Sequence, residues 1–347
     1  MKIPENIRGY LAYDTYGWVA TASIILSAFS GALLAVPYDV ASPYLSVTKL
    51  VTANPAASLL RNIHYWSAQL FLLLTLIHIF DHLWKGTESN IKKKSVWFRL
   101  TLAMIFILYV MLSGFILKAD GDSLQAHRIL SSLVSSLPWI GPMLQQTLIG
   151  AEGNFQVLYI QHAATATVIL FVIIMEHARS LKVNLRTLLV TTGIITLFSF
   201  FFRAPINGLN DALMKGPWYF VGLQETLHWI SNPLFITFGL IILLVLMYLI
   251  PWIKPVYSRI IKQFFVVMIL VYALLTITGF FFRGPMWQWQ RPWNDNYKMQ
   301  PLLHTEKISF LNNDTVQLAI IQGHAEGCVT CHKGMNGFTD AHKPEYI

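Results

Sequence analysis

Long apolar runs separated by short polar stretches dominate the chain. Seven of them, near 17–37, 63–84, 98–118, 156–179, 186–203, 233–251 and 263–282, predict membrane-spanning helices. The run at 186–203 is the shortest. The first run follows a polar N-terminal stretch and lacks a small-residue cleavage site, so it reads as a lasting span rather than a removed signal peptide. No alternating strand pattern competes with this reading, and the expected class is an all-α integral membrane protein. A mean hydropathy of +0.52 agrees, as do 55% hydrophobic and 12% charged residues in 347 positions.

The formal net charge of +8 invites a nucleic-acid reading, but its distribution argues for a membrane instead. With the N-terminus inside, the inner segments hold 13 cations: Lys2, Arg8, Lys85, Lys92, Lys93, Lys94, Arg99, Arg179, Lys182, Arg186, Lys254, Arg259 and Lys262. The longer outer segments hold six, namely Lys49, Arg61, Lys118, Arg128, Arg203 and Lys215, and the remaining six lie between Arg283 and the C-terminal end. This is the asymmetry of the positive-inside rule, so it sets orientation and does not signal a polyanion partner. The N-terminus is expected inside and the tail outside.

Four histidines fall in two pairs within apolar runs, His64 with His78 and His162 with His177, at spacings of 14 and 15 residues. At about 100° per residue, 14 steps end about 40° short of four turns and 15 steps about 60° beyond them. Each pair therefore keeps roughly one helix face while climbing about 21–22 Å of a hydrocarbon core about 30 Å thick. Both runs cross from outside to inside, so His64 matches His162 near the outer surface and His78 matches His177 near the inner one. Ionisable side chains inside spans are costly and are usually functional. Paired at matching depths, these four predict bis-histidine ligation of two stacked b-type haems. A lone histidine in such a helix is more often a hydrogen-bonded core residue, and a proton relay has no reason to produce matched pairs.

Neighbouring residues extend the pattern. Gly17 and Gly31 are also 14 apart on the first run, which lets that helix approach a flat macrocycle at both depths; ordinary small-residue packing predicts the same glycines. Arg61, three residues before His64, suits a haem propionate, or else snorkels to the interface. Asp81, His82 and Glu176 flank the inner ligands, either as proton donors to an inner site or as interfacial residues.

The two cysteines belong to Cys328-Val-Thr-Cys331-His332, the pattern of covalent c-type haem attachment with His332 as axial ligand. A zinc site would need further ligands, and there are no more cysteines. The expected sixth ligand is His342 or His324, with Met335, Met299 and His304 behind them, or a residue from a partner chain.

Arg61-x-x-His64 with His78, the 14/15 spacing, Gly17 with Gly31, Ser136-Leu-Pro138-Trp139-Ile-Gly141, Lys215-Gly-Pro-Trp-Tyr-Phe220 and Phe282-Arg-Gly-Pro285 with Pro292-Trp293 together resemble cytochrome b of the Rieske/cytochrome bc complexes. The resemblance covers roughly 10–293 and is nearest the split-type branch, with both halves fused into one chain. It implies a four-helix dihaem domain at 1–182, a three-helix quinol-site domain at 183–293, and an extracytoplasmic haem-c tail at 294–347. It implies that the stretch 136–141 is the outer-loop helix packing over a quinol pocket, with Pro217, Trp218, Tyr219 and Pro138 as pocket residues. It also implies a Rieske iron–sulfur protein or multihaem cytochrome c as partner, a homodimer within a larger complex, and a bacterial cytoplasmic membrane.

Three departures matter. The family motif reads Pro-Glu-Trp-Tyr, whereas Gly216-Pro217 precedes Trp218 here, so the proton-accepting glutamate is missing. Glu225, Asp211 or His228 is the substitute, Glu225 first, with Tyr219 as a second acceptor; pairing of Glu225 with Lys215 or Arg203 is the structural alternative. Thr15 stands where split-type relatives carry a haem-attaching cysteine. The third run has Gly114 but Leu100 fourteen residues earlier. The function implied is a quinol:cytochrome c oxidoreductase subunit, with menaquinol as the expected substrate. The alternative is a dihaem membrane anchor that passes electrons to a multihaem cytochrome or dehydrogenase without bifurcation.

Overall fold

The computed structural model describes residues 14–86, 93–177, 185–209, 214–284 and 287–291. The tail cysteines, His304, His324, His332, His342, Met299, Met335 and Asp211 lie outside these residues. Eleven helices are described: α1 (Asp14–Ala35), α2 (Pro43–Ala53), α3 (Pro55–Lys85), α4 (Lys94–Ile116), α5 (Gly121–Ser135), α6 (Gly141–Leu148), α7 (Gln156–His177), α8 (Leu185–Phe201), α9 (Trp218–Trp229), α10 (Pro233–Leu249) and α11 (Pro255–Phe281). The described residues hold no strand, only an isolated bridge between Arg283 and Trp289.

Among the described residues six helices are long and apolar enough to cross a membrane: α1, α3, α4, α7, α10 and α11. The seventh expected span, α8, has 17 residues and rises about 25 Å, short of a typical hydrocarbon core. The outward faces are apolar, with Leu189, Ile194, Leu197, Phe235, Ile242, Leu270 and Leu274 all exposed, as a lipid-facing surface requires.

Local signals explain the boundaries. The Asn54 side chain accepts from Ala56 and Ala57 N–H at 3.0 and 3.2 Å, and Pro55 occupies the first helical position, so α3 starts eight residues before its apolar run. It ends at Gly86, left-handed at φ 72°, whose N–H donates to the His82 carbonyl. Asn232 caps α10 in the same way, through Leu234 N–H at 3.0 Å.

α1 lies along α3, and α4 along α7; α8 packs on α1 and α3, α10 on α4 and α5, and α11 on α9. One apolar cluster, including Ala20, Phe71, Leu72, Ile107, Met111 and Leu170, fills the space between α1, α3, α4 and α7. A second joins the C-terminal end of α4 to α5, α9 and the start of α10 through Ile116, Leu124, Leu133, Phe220 and Ile236. The segment expected as an outer-loop helix at 136–141 is instead the turn between α5 and α6. Pro138 lacks an N–H to continue the helix, Trp139 takes φ 63°, and its side chain is 98% exposed.

Candidate functional site: two interhelical histidine pairs

α3 and α7 face each other through their histidines. The rings of His64 and His162 lie 6.3 Å apart, centroid to centroid, at 85°; those of His78 and His177 lie 6.1 Å apart at 70°. An imidazole nitrogen binds a metal ion at about 2.0 Å and lies about 1 Å from its ring centroid, so two rings sharing one ion sit about 6 Å apart. Both pairs have that separation. Among the described residues no group of three or more His, Cys, Asp or Glu side chains is placed to hold a metal ion, so each pair would supply two ligands and no more.

The His64–His162 pair, the outer one in the expected orientation, has a matched seat on either side. His64 Nδ1 lies 2.9 Å from the Ser27 carbonyl and 3.4 Å from Ser30 Oγ on α1. His162 Nδ1 lies 3.1 Å from the Val110 carbonyl and 3.1 Å from Ser113 Oγ on α4. A carbonyl only accepts, so each Nδ1 carries the proton and each Nε2 keeps its lone pair for coordination. The glycine after each serine makes room: a Cβ on Gly31 would stand 2.8 Å from His64 Cε1, and one on Gly114 2.6 Å from His162 Cε1. Gly17 is buried on α1 near its other end. The residues present therefore fit a planar group ligated from both faces. His162 sits in a five-residue π-turn, Gln161–Thr165, within α7.

The inner pair has a third imidazole beside it. The His82 ring lies 4.3 Å from that of His78 on the next turn of α3. Asp81 pairs with Lys85 at 2.6 Å, and Glu176 with Arg99 at 2.6 Å, so both acids flanking the inner ligands are engaged in ion pairs.

Arg61 donates to the Ala204 and Pro205 carbonyls at 3.0 and 2.8 Å. Asn62 donates to the Ser199 carbonyl at 3.1 Å and accepts from Ala204 N–H at 2.8 Å, and Trp66 Nε1 donates to the Phe202 carbonyl at 2.8 Å. The guanidinium expected at a propionate clamps the chain leaving α8 onto α3.

The expected quinol-site residues lie on α9 and just before it. Trp218 Nε1 donates to Gln69 Oε1 on α3 at 2.8 Å, and the Tyr219 hydroxyl donates to the Met111 carbonyl on α4 at 3.0 Å. Burial, with Tyr65 nearby, pushes the Tyr219 phenol well above its ordinary range, so it is a standing donor. Pro217 occupies the cap of α9, and Gly216 packs so tightly that a Cβ would meet Phe220 Cδ1 at 2.6 Å. Pro138 lies at the exposed turn described above rather than within a covering helix.

Glu225 has a different setting from the one expected. It is fully buried, and its carboxylate accepts from Arg283 Nε and Nη2 at 3.0 and 2.8 Å, Trp229 Nε1 at 2.8 Å and Trp287 Nε1 at 2.7 Å. Burial alone would raise its pKa, but these donors outweigh burial and hold it below the ordinary value. With its acceptor positions taken, Glu225 is the anion of a buried ion pair rather than a free base for a quinol proton. Its partner is Arg283, not Lys215 or Arg203; Lys215 donates to the Phe280 carbonyl at 2.6 Å, and burial lowers its pKa to about 8. His228, beside this pair, is exposed. A second buried pair, Lys118 with Asp120 at 2.6 Å, closes the C-terminal end of α4, where Asp120 also accepts from Asn207 N–H at 2.8 Å.

The family model for cytochrome b/b6/petB matches residues 3–183, just over half of the chain. The chain belongs to the cytochrome b family. The matched stretch contains all four paired histidines. Cytochrome b of Micropechis ikaheca is 26% identical over 137 residues, 39% of this chain and 36% of that protein. Cytochrome b of Pseudechis australis is 26% identical over 131 residues, 37% and 34% of the two chains. This cytochrome b therefore spans about a third of the length of these relatives. A solved chain described as a hyperthermophilic respiratory complex III superposes with a TM-score of 0.55 at 17% identity, covering 91% of this chain and 90% of that one. That likeness extends the shared fold beyond the family match.

Proposed function

We propose that this cytochrome b is the membrane subunit of a quinol:cytochrome c oxidoreductase, carrying electrons from a quinol, menaquinol by expectation, across the bilayer in a process coupled to proton translocation. The observation that carries the reading is the pair of interhelical histidine contacts, 6.3 and 6.1 Å between centroids, on the same two helices about 21 Å apart along α3. When bound, two b-type haems would supply one-electron carriers at the outer and inner levels, and a c-type haem on Cys328, Cys331 and His332 a third carrier outside. His64 with His162, and His78 with His177, would hold the first two. The Ser27 and Val110 carbonyls fix the tautomers of the outer ligands, and Gly31 and Gly114 keep the space beside their rings clear. Trp218 and Tyr219, anchored to Gln69 and Met111, present an apolar, aromatic wall suited to a quinol ring beside the outer pair.

In this reading all seven apolar helices cross the membrane, α8 included, with the N-terminus cytoplasmic and the tail periplasmic. Residues 1–182, 183–293 and 294–347 form the haem, quinol and tail parts. The chain works as a dimer within a complex in a bacterial cytoplasmic membrane, with a Rieske protein or multihaem cytochrome as partner. The solved complex III chain supports the assembly through its shared fold. His342 or His324 completes the tail haem.

A second reading is favoured by one observation: Pro217 replaces the motif carboxylate, and Glu225 is locked in an ion pair. In that case the protein is a dihaem anchor with one electron path to a multihaem cytochrome or dehydrogenase. A redox-titrated visible spectrum of the purified complex with haem staining separates the two. Two b-type haems, one covalent haem and oxidant-induced reduction of haem b with an outer-site inhibitor support quinol bifurcation. The same haems without that response support the anchor, and fewer than two b-type haems overturn both readings.

A further inference from the structure

The two ligand helices differ in spacing, 14 residues on α3 and 15 on α7, yet the ring separations at the two levels agree to 0.2 Å. On two regular helices the extra residue would offset the inner ligands in rotation and in height. A fifteenth α-helical step turns a side chain about 100° further and moves it about 1.5 Å along the axis. With the outer rings in register, the inner ligand of a regular α7 would stand about 60° past the face of its outer ligand, where the 14-residue pair on α3 stands about 40° short of it.

The π-turn removes the discrepancy. Over Gln161–Thr165 the hydrogen bond closes five residues on rather than four, as the Ala166 N–H to Gln161 carbonyl bond shows. Such a turn holds one residue more than an α-turn while the helix on either side continues in phase. It includes His162, and Ala166–His177 is regular α-helix. The Thr167 hydroxyl donates to the His162 carbonyl, which the wide turn leaves short of its usual α-helical partner.

We infer that the π-turn at Gln161–Thr165 is the element that brings a 15-residue ligand pair into the 14-residue register of α3, with Thr167 as the positioning residue that stabilises the His162 end. The inference rests on the proposed bis-histidine ligation of two haems. It makes the extra residue in α7 removable.

Deleting Ala164 tests it. The deletion leaves 14 residues between the ligands and a regular helix, and the purified protein is expected to retain two b-type haems per chain with two low-spin bis-histidine electron paramagnetic resonance signals. Loss of one haem, with two present in the wild type, overturns the inference, because the 15-residue spacing would then be required as it stands. If the deletion does not fold, Thr167→Val decides. A shift of the outer-haem signal and midpoint potential with the inner haem unchanged supports the assignment; no shift in either overturns it. A wild type with fewer than two b-type haems defeats the ligation reading itself, a result distinguishable from either outcome.

Discussion

The imidazole of His162 lies so close to Gly114 that a Cβ there would stand 2.6 Å from Cε1, nearer than real Cβ contacts come. Gly31 bears the same relation to His64 on the opposite helix pair. Gly114→Val and Gly31→Val are therefore expected to push the outer ligands off their seats while leaving the inner pair untouched. Outer haem occupancy should fall by roughly tenfold or more, equivalent to about 1.4 kcal/mol or more. Haem-to-protein ratios with dithionite difference spectra check this, and equal loss of both haems would contradict it.

The buried pair of Glu225 and Arg283 predicts a specific acid sensitivity. Because the folded Glu225 pKa lies below its ordinary value of 4.5, its contribution is fully present above that value and is lost as pH falls through the folded pKa. Thermal unfolding in detergent should show a steeper acid limb for the wild type than for Glu225→Gln. Arg283→Met alone should cost about 3–5 kcal/mol, because it leaves the carboxylate buried and uncompensated. The double variant Glu225→Leu/Arg283→Met should recover much of that loss, and additive losses would show that the two residues are not coupled.

Tyr219→Phe should cost about 1 kcal/mol through loss of the hydrogen bond to the Met111 carbonyl. Since burial keeps the phenol protonated far above neutrality, the pH profile of quinol turnover between about pH 6 and 9 should keep its shape. A profile that moves with this substitution would restore Tyr219 as a proton acceptor.

The double variant Cys328→Ala/Cys331→Ala should abolish haem staining on denaturing gels and leave the b-type absorbance intact. Persistence of a covalently stained band would remove the c-type reading of the tail.

What the sequence disclosed is what repeats along a helix. The apolar runs and the histidine spacings are periodic signals, and they match six long apolar helices and the two facing histidine pairs. The Nδ1 acceptors are main-chain carbonyls of Ser27 and Val110, which no residue identity announces. A weaker signal was present: Ser30-Gly31 and Ser113-Gly114 are the same dipeptide on two spans, each three residues after its carbonyl. The π-turn was hidden because a 3.6-residue period was assumed throughout. The partner of Glu225 lies 58 residues away, where only the folded chain brings the two together. The resemblance points to a helix at Pro138 and Trp139, whereas proline chemistry makes that stretch a turn.

The grip of α3 on the chain leaving α8 has a consequence for how the two halves stay together. Arg61, Asn62 and Trp66, within two turns of His64, bind main-chain groups at Ser199, Phe202, Ala204 and Pro205. The second half is thus stapled to the ligand helix itself by bonds that do not depend on side-chain identity at the far end. Two co-expressed fragments, divided between residues 178 and 184, should therefore find each other in the bilayer and copurify, with Arg61, Asn62 and Trp66 rather than the peptide link joining them.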